Sequence, residues 1–438
     1  MNDRLRRLIA AALVDSFGLS LGWTVFSLHV VRAHGLAGLG LASAAMLVGV
    51  ALSAPVAARL SGRLDGRTLL RATAATEAVL RVGTFALLLA AAPLSLVGVA
   101  VAASNVVAWT GYAGMRAEVA AADPRGAAMT WYMVAVAAIE AAGTATAALL
   151  PVGPDGLVGG GLLVAIVAAY GACLLPTWMV AGGALVPRAQ PVSGPAPRRT
   201  HPVPRRVPDR GLSGRGRGRR PTAGPDPVAV GPRWGSLAQR PAGRRSISTA
   251  HPNGLLASGG LVMLAGSGPT LLAVGLAAEL HGTRWVAGSA LAFALGSLLA
   301  PAAVAWLERR ALPPAVTWPA LGVGMVAGWS LAAWHPAALL AAQLCSGMCM
   351  SALEGDMDAR VAARAGSGRG VTADLASAAA LRAFGSAAAV ALAPRVITGS
   401  GVGALAVALV TALLAAMVVT LAWHRGRSGL AGSAPHPG

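Results

Sequence analysis

The sequence predicts an all-helical membrane protein with twelve transmembrane helices, and composition and long uncharged runs are the evidence. Of its 438 residues, 55% are hydrophobic and only 12% are charged, whereas soluble domains carry roughly 25% charged residues. The stretches 94–114 and 156–186 contain no charged residue at all. Because about 20 apolar residues cross the hydrocarbon core as a helix, runs of this length predict spanning helices.

The apolar segments form two sets of six, separated by a long polar stretch. Each segment is long enough to cross roughly 30 Å of hydrocarbon at about 1.5 Å per residue. Alanine and glycine are abundant in them, and small residues allow helices to approach closely in a membrane. The predicted spans cover about 8–30, 37–58, 70–92, 94–115, 128–150, 157–183, 254–279, 285–306, 313–334, 336–355, 371–393 and 401–423.

Arginine is unevenly distributed between the predicted loops, and this distribution predicts the orientation. All 35 basic residues are arginine. The termini and every second loop carry several of them, whereas the intervening loops carry only Arg32, Arg284 and Arg395. Because arginine-rich loops stay on the cytoplasmic side, we expect a multi-pass protein of the cell membrane with both termini in the cytoplasm.

The polar stretch between the two sets of spans defines the domain organisation. We expect an N-terminal six-helix bundle at 1–183, a linker at 184–253, a C-terminal six-helix bundle at 254–424 and a cytoplasmic tail at 425–438. Within the linker, residues 188–245 hold fourteen arginines and two acidic residues, a net charge of +12. Its Arg, Pro and Gly content is typical of a disordered tether. Binding to anionic lipid and translation of a wrong reading frame in a GC-rich gene are the alternatives.

Several charged residues lie inside predicted spans, where each costs at least ~2.5 kcal/mol and therefore needs a reason. Glu77 and Arg81 are four residues apart on one helix face, so we expect an intramembrane ion pair, whose role can be purely structural. Glu140 has no arginine one turn away. Such a carboxylate can bind a proton reversibly, or it can stay protonated and hydrogen-bonded across helices. Asp15 lies about two turns inside the first span and can equally be an interfacial residue.

The tenth predicted span carries two further clusters. The acidic residues within 354–358 are expected to compensate Arg360 and Arg364 at the inner end of the span. Soft side chains that favour Cu(I) recur at helical spacing, but they are also ordinary core residues, and we expect no metal site. These are Cys345, Met348, Cys349 and Met350.

The residues inside the spans also limit the class of ligand and of protein. Trp109 and Tyr112, late in the fourth span, can line a cavity for a ring-bearing compound, or act as belt and packing residues. With 4% aromatic residues overall and few Asn or Gln in the spans, the interior suits a hydrophobic small molecule better than a sugar. Paired core arginines that would bind phosphate are missing.

Other classes of protein are disfavoured by what the sequence lacks. A nucleotide-binding loop needs a lysine, and the chain has none. The spans offer no Ser-His-Asp set with a plausible spacing, so we expect neither an enzyme nor a cofactor. Because the excess positive charge is concentrated in the linker and the loops, we expect no nucleic-acid partner. The expected partners are the lipid bilayer, protons and a small hydrophobic substrate, and the expected state is a monomer.

Six plus six spans around a large central cytoplasmic loop resemble the major facilitator superfamily. The loop 59–70 reads Arg-Leu-Ser-Gly-Arg-Leu-Asp-Gly-Arg-Thr-Leu-Leu and is similar to the family's signature between its second and third spans. Arg63, Asp65 and Arg67 stand in matching places, and Gly62 stands where an acid is usual. The resemblance implies that these residues form a charged latch on the cytoplasmic face.

Two other passages are similar to members of the same family. Residues 116–125, from Arg116 through the Asp-Pro-Arg at 123–125, followed by Glu140 in the next span, resemble the family's passage between the fourth and fifth spans. The Asp-Ser-Phe-Gly at 15–18 is similar to the start common in actinobacterial members. The proline of the antiporter signature is absent, because the fifth span reads Gly-Thr-Ala at 143–145.

The resemblance implies a drug- or metabolite-exporter-like secondary transporter whose two six-helix, pseudo-symmetric halves rock about a central site. It implies proton-coupled efflux of a hydrophobic drug-like compound or secondary metabolite. Glu140, Asp15 and Arg382 are then the proton-coupling or transport residues, and Arg382 can pair with Glu140 or Asp15 across the cavity. The alternative is a scaffold or sensor on the same fold that does not transport, which the altered loop motif and the large basic linker favour.

Overall fold

The computed structural model describes residues 3–61, 63–122, 127–153, 156–186, 252–310, 312–365 and 369–431. Across these ranges the regular structure is helical, as the apolar runs predict. A backbone in hydrocarbon must satisfy its own hydrogen bonds, and a helix does so within one segment. The N-terminal bundle comprises α1 (Asp3–Ser61), α2 (Gly66–Leu89), α3 (Leu94–Ala122), α4 (Ala127–Ala148), α5 (Gly160–Ala172) and α6 (Leu175–Val180), followed by a 3-10 turn at Ala181–Gly183.

The C-terminal bundle has the same overall plan with more interruptions. It comprises α7 (Pro252–Gly266), α8 (Gly268–Leu271), α9 (Ala273–His281), α10 (Arg284–Arg310), α11 (Pro314–Val326), α12 (Pro336–Ala365) and α13 (Arg369–Ala431), with a 3-10 turn at Ala327–Ser330 after α11. The breaks between α7, α8 and α9 fall at 267 and 272, around the Gly-Pro at 268–269. Proline removes a backbone donor and interrupts the helix there.

Two long helices each contain a sharp turn at a glycine. Gly35 in α1 has a φ of 66° and Gly401 in α13 has a φ of 81°, a region that glycine alone adopts at little cost. The segments before and after Gly35 coincide with the first two predicted spans, and those around Gly401 coincide with the last two. The turn at Gly35 lies at one end of the N-terminal bundle, called here the Gly35 end; the loop that carries Asp65 lies at the other, the Asp65 end.

Within the described ranges, eight helices are able to cross a membrane by length and composition. The first of them, Asp3–Ser61, holds two segments joined at Gly35. Shorter apolar helices, Val134–Ala148 and Ala257–Gly266, lie where the fifth and seventh spans are predicted. The chain is therefore an all-α, multi-pass membrane protein, and the full count of twelve spans stays a prediction.

The predicted domain boundaries can be compared with the structure only in part. Of the predicted linker at 184–253, only 184–186 and 252–253 are among the described residues, so its expected disorder lies outside them. Helix α13 continues to Ala431, so the tail predicted from 425 begins as helix. The boundary at 425 stays a prediction, because the end of an apolar run marks the membrane surface and does not by itself end a helix.

Glycines allow the backbones of neighbouring helices to touch. A Cβ on Gly347 of α12 would overlap the Phe293 carbonyl of α10, and a Cβ on Gly296 of α10 would overlap the Leu344 carbonyl of α12. Helices α7 and α13 meet in the same way at Gly260 and Gly385. Small residues supply this close packing because lipid gives helices no hydrophobic reason to associate.

The two bundles touch through α1 and α13, α4 and α10, and α1 and α9. Glycine contacts locate part of this interface at the Gly35 end. A Cβ on Gly275 of α9 would lie 2.8 Å from the Leu36 and Leu39 side chains of α1. Gly40 of α1 lies against the Val390 carbonyl and Pro394 of α13. The bundles are therefore pressed together where α1 turns.

The same substitution at two glycines of α12 tests the packing of α10 against α12. Gly347→Ala puts a methyl group into the Phe293 carbonyl and should destabilise the protein by about 1–3 kcal/mol. Gly355→Ala meets no atom within 4 Å and should be neutral or stabilising, because alanine is the better helix former. Thermal unfolding in detergent compares the two variants, and equal melting temperatures would contradict the packing described here.

Candidate functional site

A buried ion network joins three helices inside the N-terminal bundle. Arg81 of α2 is only 1% exposed and lies against the carboxylate of Glu77, one turn earlier on the same helix. The same Nη2 atom lies 2.9 Å from Oδ1 of Asp15, on the first segment of α1. The spacing of Glu77 and Arg81 predicts their contact, whereas the approach of Asp15 comes from helix packing.

The other side of the Arg81 guanidinium faces the end of α5. Its Nη1 atom donates to the Tyr170 carbonyl at 3.3 Å and lies 3.0 Å from Sγ of Cys173. The guanidinium carbon also lies 5.1 Å from the centre of the Tyr170 ring, within the range of a cation–π contact. A Cβ on Gly18 would come within 2.5 Å of Cys173, so glycine at this position lets α1 approach α5 closely.

The charges in this network do not balance. Arg81 supplies one positive charge, and Asp15 and Glu77 supply two carboxylates. Because an uncompensated charge in a membrane interior is costly, the network has room for one proton on a carboxylate. The Asp15 side chain is 28% exposed, so of the two carboxylates it is the one that water or a ligand can reach.

Glu140 of α4 lies beside this network and is half-buried. It forms no ion pair or hydrogen bond with the residues that the structure describes. One turn later, Gly143 packs against the Phe17 carbonyl and lies near Ser20, so α4 and α1 touch close to Asp15. The carboxylates of Glu140 and Asp15 are close enough to repel each other.

An aromatic and amide-lined cleft adjoins Arg81. Its lining residues are Trp23, Phe26, Arg81, Thr84, Val101, Ser104, Asn105 and Tyr170. Trp109 follows Asn105 by one turn of α3 and packs edge-on against Tyr112, with 5.4 Å between ring centres. Tyr112 in turn lies 6.1 Å from the ring of Tyr132. The two aromatic residues predicted to line a cavity therefore lie next to the cleft and do not line it.

Arg382 is not where the family resemblance implied. It pairs with Asp358 of α12, through Nη1 at 2.6 Å from Oδ1 and Nη2 at 3.4 Å from Oδ2. The suggested partners, Glu140 and Asp15, belong to the other bundle, and Asp15 is already bound to Arg81. The suggestion was wrong because a buried arginine takes the nearest carboxylate, and α12 of its own bundle supplies one.

Two acidic residues of α12, Asp356 and Asp358, have separate arginine partners. Asp356 accepts from Nε of Arg360 at 2.7 Å, as the sequence predicts, and also from the indole Nε1 of the buried Trp318 at 2.7 Å. The predicted contact with Arg364 falls on a side chain outside those described. Of the soft side chains, Cys349 packs against Gly324, and no group of three or more His, Cys, Asp or Glu among the described residues could hold a metal ion.

The loop motif has a local structural role. Asp65 caps α2 by accepting from the Thr68 backbone N–H at 2.7 Å, and this hydrogen bond lowers the pKa of the Asp65 carboxyl below its ordinary value. Arg63 and Arg67 are exposed and form no ion pair within the described ranges, while Gly62 lies outside them. The capping role explains the aspartate without a latch.

Sequence reasoning missed Glu118, which is fully buried near the end of α3. Its Oε2 atom accepts from Arg4 at 3.1 Å and from the Leu185 backbone N–H at 2.7 Å, and its Oε1 atom accepts from the Val186 N–H at 2.9 Å. Tyr170 and Cys173 were also missed. Their partners lie on other helices, so no spacing in the sequence could have indicated these contacts.

Removing the central arginine tests the ion network. Arg81→Gln leaves Asp15 and Glu77 buried without a counter-charge and should destabilise the protein by about 3–5 kcal/mol. Adding Asp15→Asn and Glu77→Gln to this variant should restore most of the stability. Thermal unfolding in detergent measures both, with the exposed Arg63→Gln as control. If Arg81→Gln and Arg63→Gln have the same melting temperature, the ion network does not stabilise the bundle.

Comparisons with known proteins agree with this architecture. No protein-family model and no curated protein sequence matches the chain. A crystal structure of the nucleoside transporter NupG matches with a TM-score of 0.65 at 9% identity, over 96% of this chain and 99% of that one. A bacterial homologue of the iron transporter ferroportin, in an inward-facing state, matches with a TM-score of 0.60 at 14% identity, over 97% and 99%.

The xylose transporter XylE from E. coli, in an inward-open conformation, matches with a TM-score of 0.58 at 13% identity, over 94% of each chain. At such low identities the likeness establishes the fold and nothing finer. The chain has the two-bundle fold of the major facilitator superfamily.

Proposed function

We propose that the chain is a secondary active transporter that couples proton movement to the export of a hydrophobic, drug-like compound or secondary metabolite. The observation that carries the proposal is the excess of carboxylates over guanidinium groups around Arg81, inside the N-terminal bundle. Asp15 and Glu77 both contact the Arg81 guanidinium, and Glu140, which has no ion pair among the described residues, lies on the neighbouring helix α4. A membrane-embedded set of this kind binds and releases protons as its surroundings change, because each proton removes an uncompensated buried charge.

Alternating access requires a site that opens to one side at a time. The contacts of Gly275 and Gly40 hold the two bundles together at the Gly35 end. The ion pairs found within the described ranges all join residues of one bundle, and none bridges the bundles at the Asp65 end. This arrangement suits a state open at the Asp65 end. With the termini on the cytoplasmic side of the cell membrane, as the arginine distribution predicts, this state faces inward.

The surroundings of the network suggest the class of substrate. The cleft beside Arg81 offers the rings of Trp23, Phe26 and Tyr170 and the amide of Asn105. Trp109 and Tyr112 extend the aromatic surface by one to two turns of α3. The remaining polar groups are one guanidinium, one amide and the short hydroxyls of Thr84 and Ser104, so a ring-bearing molecule with a few polar groups fits this cleft.

The similar solved structures bear on the class of protein. They are a nucleoside transporter, a xylose transporter and a homologue of an iron transporter, which supports transport and agrees with the expectation that the chain is not an enzyme. The exporter-like subtype, the monomeric state and proton coupling are parts of the proposal. Arg382 contributes on this view by stabilising the C-terminal bundle through Asp358.

A non-transporting scaffold or sensor on the same fold is the second candidate. The observation that favours it is the loop motif, in which Asp65 is used as a helix cap and Arg63 and Arg67 are exposed without ion pairs. A transporter that has lost its latch would still fold and could display its basic linker to a partner.

Proton–substrate exchange in everted vesicles separates the two candidates. A panel of lipophilic cations and antibiotics is added to energised vesicles, and discharge of the proton gradient is followed by fluorescence. The variants are Glu140→Gln and Asp15→Asn, and the matched control is Glu279→Gln, an exposed carboxylate of α9. We expect at least one compound to discharge the gradient in the parent chain and in the control, and at least a tenfold slower discharge in the two variants, since each removes a proton-binding group.

Two outcomes would overturn this reading. Gradient discharge that is equally fast in Glu140→Gln and Asp15→Asn would remove these carboxylates from the coupling step. Absence of discharge by any compound, in vesicles whose protein is shown to be folded, would favour the scaffold.

A further inference from the structure

The arginines that are not fully exposed follow a pattern with one exception. Within the described side chains, each of the others contacts a carboxylate: Arg4 with Glu118, Arg81 with Asp15 and Glu77, Arg360 with Asp356, and Arg382 with Asp358. Arg71 of α2 is half-buried, yet no carboxylate of the described residues lies within ion-pair distance of it. A guanidinium is always charged, so this position needs an anion from elsewhere.

The contacts of Arg71 hold its guanidinium in a defined place. The guanidinium carbon lies 4.7 Å from the ring centre of Trp178 in α6. A Cβ on Gly182 would lie 3.5 Å from its Nη2 atom. The Nε atom is buried and has no hydrogen-bond partner. The side chain is therefore stacked on an aromatic ring and partly desolvated, and it has N–H donors without a partner. A guanidinium held in this way can form bidentate hydrogen bonds with an oxyanion.

The surface around Arg71 faces lipid and not the central cleft. Trp178 is 44% exposed and its neighbour Met179 is 70% exposed, although both are large and apolar. On α2, Val82 lies on the same helix face as Arg71 about three turns further along and is also exposed. The groups of α2 that line the central cleft, Arg81 and Thr84, lie on another face of the helix and are buried.

The depth of Arg71 matches that of lipid headgroups. It follows the start of α2, at Gly66, by about 8 Å at 1.5 Å per residue. Trp178 lies near the end of α6 at the same end of the bundle. Tryptophan and arginine gather at this level in membrane proteins, where the indole meets the acyl boundary and the guanidinium meets phosphate.

We propose that the seam between α2 and α6 at Arg71 and Trp178 is a binding site for the phosphate of an anionic phospholipid. The guanidinium binds two phosphate oxygens, and the Trp178 ring packs against the glycerol and the first methylene groups. An anionic headgroup fits better than a zwitterionic one. The latter brings an ammonium group, and the described carboxylates near this end are already in use, since Glu118 is fully buried and bound to Arg4, and Asp65 caps α2.

Thermal unfolding of the full chain in detergent tests this site. Phosphatidylglycerol, phosphatidylcholine or inorganic phosphate is added to the parent chain, to Arg71→Gln and to the control Arg67→Gln, an exposed arginine in the first turn of the same helix. Phosphatidylglycerol should raise the melting temperature of the parent chain and of Arg67→Gln by several degrees. In Arg71→Gln this shift should be lost, and native mass spectrometry should show one fewer retained phosphatidylglycerol.

Three results would contradict the proposed lipid site. An equal phosphatidylglycerol shift in Arg71→Gln overturns the site. If inorganic phosphate raises the melting temperature as much as phosphatidylglycerol does, the ligand is a soluble anion and not a lipid. If phosphatidylcholine does so, the site has no preference for anionic lipid. Either result overturns the proposal of an anionic-phospholipid site. If Arg71→Gln does not fold, Arg71→Lys keeps the charge and loses the fork and the stack. It should weaken phosphatidylglycerol binding several-fold, and unchanged binding by this variant overturns the proposal.

Discussion

The N-terminal bundle depends on how one buried guanidinium is neutralised. Arg81 is only 1% exposed, so its charge must be met by neighbouring side chains and backbone and not by water. Asp15 comes from α1, the Tyr170 carbonyl and Cys173 come from α5, and Glu77 comes from α2 itself. These contacts fix the spacing of three helices around one point. They also explain why glycine is required at position 18, where α1 must come close to Cys173.

The C-terminal bundle arranges its charges in a partly similar way. Two ion pairs join its described residues, Arg382 with Asp358 and Arg360 with Asp356, and Asp356 also accepts from Trp318. A further carboxylate, Glu354, lies one turn before Asp358 on α12 and near the buried Arg382, so this arginine too has two carboxylates around it. The two halves differ in burial, because Glu77 is buried together with Arg81, whereas the Asp358 side chain is 46% exposed. The proton-binding site that we propose in the N-terminal half rests on this deeper burial, since the fold alone is shared by carriers of very different compounds.

The sequence predicts the spans well and the contacts between them poorly. The length of an apolar run is set by the thickness of hydrocarbon, so span positions can be read from one sequence. The turn at Gly35 falls between two predicted spans, and the turn at Gly401 falls on the first residue of the last one. The pair Glu77 and Arg81 is also local, one turn apart. The partners of Asp15, Arg382 and Glu118 are chosen by helix packing across many residues. The spacing that reveals a helix face carries no information about which other helix will meet it.

The burial of Glu118 has a consequence for the mechanics of the central linker. Its carboxylate binds the backbone of Leu185 and Val186, and the Gly66 N–H at the start of α2 donates to the Val186 carbonyl at 3.0 Å. Residues 185 and 186, at the start of the predicted linker, are therefore attached to α2 and α3 by hydrogen bonds. A force applied to the linker is transmitted to these two helices and, through Glu118, to Arg4 of α1. A partner that binds the linker can therefore act on the same bundle that contains the proposed proton-binding carboxylates.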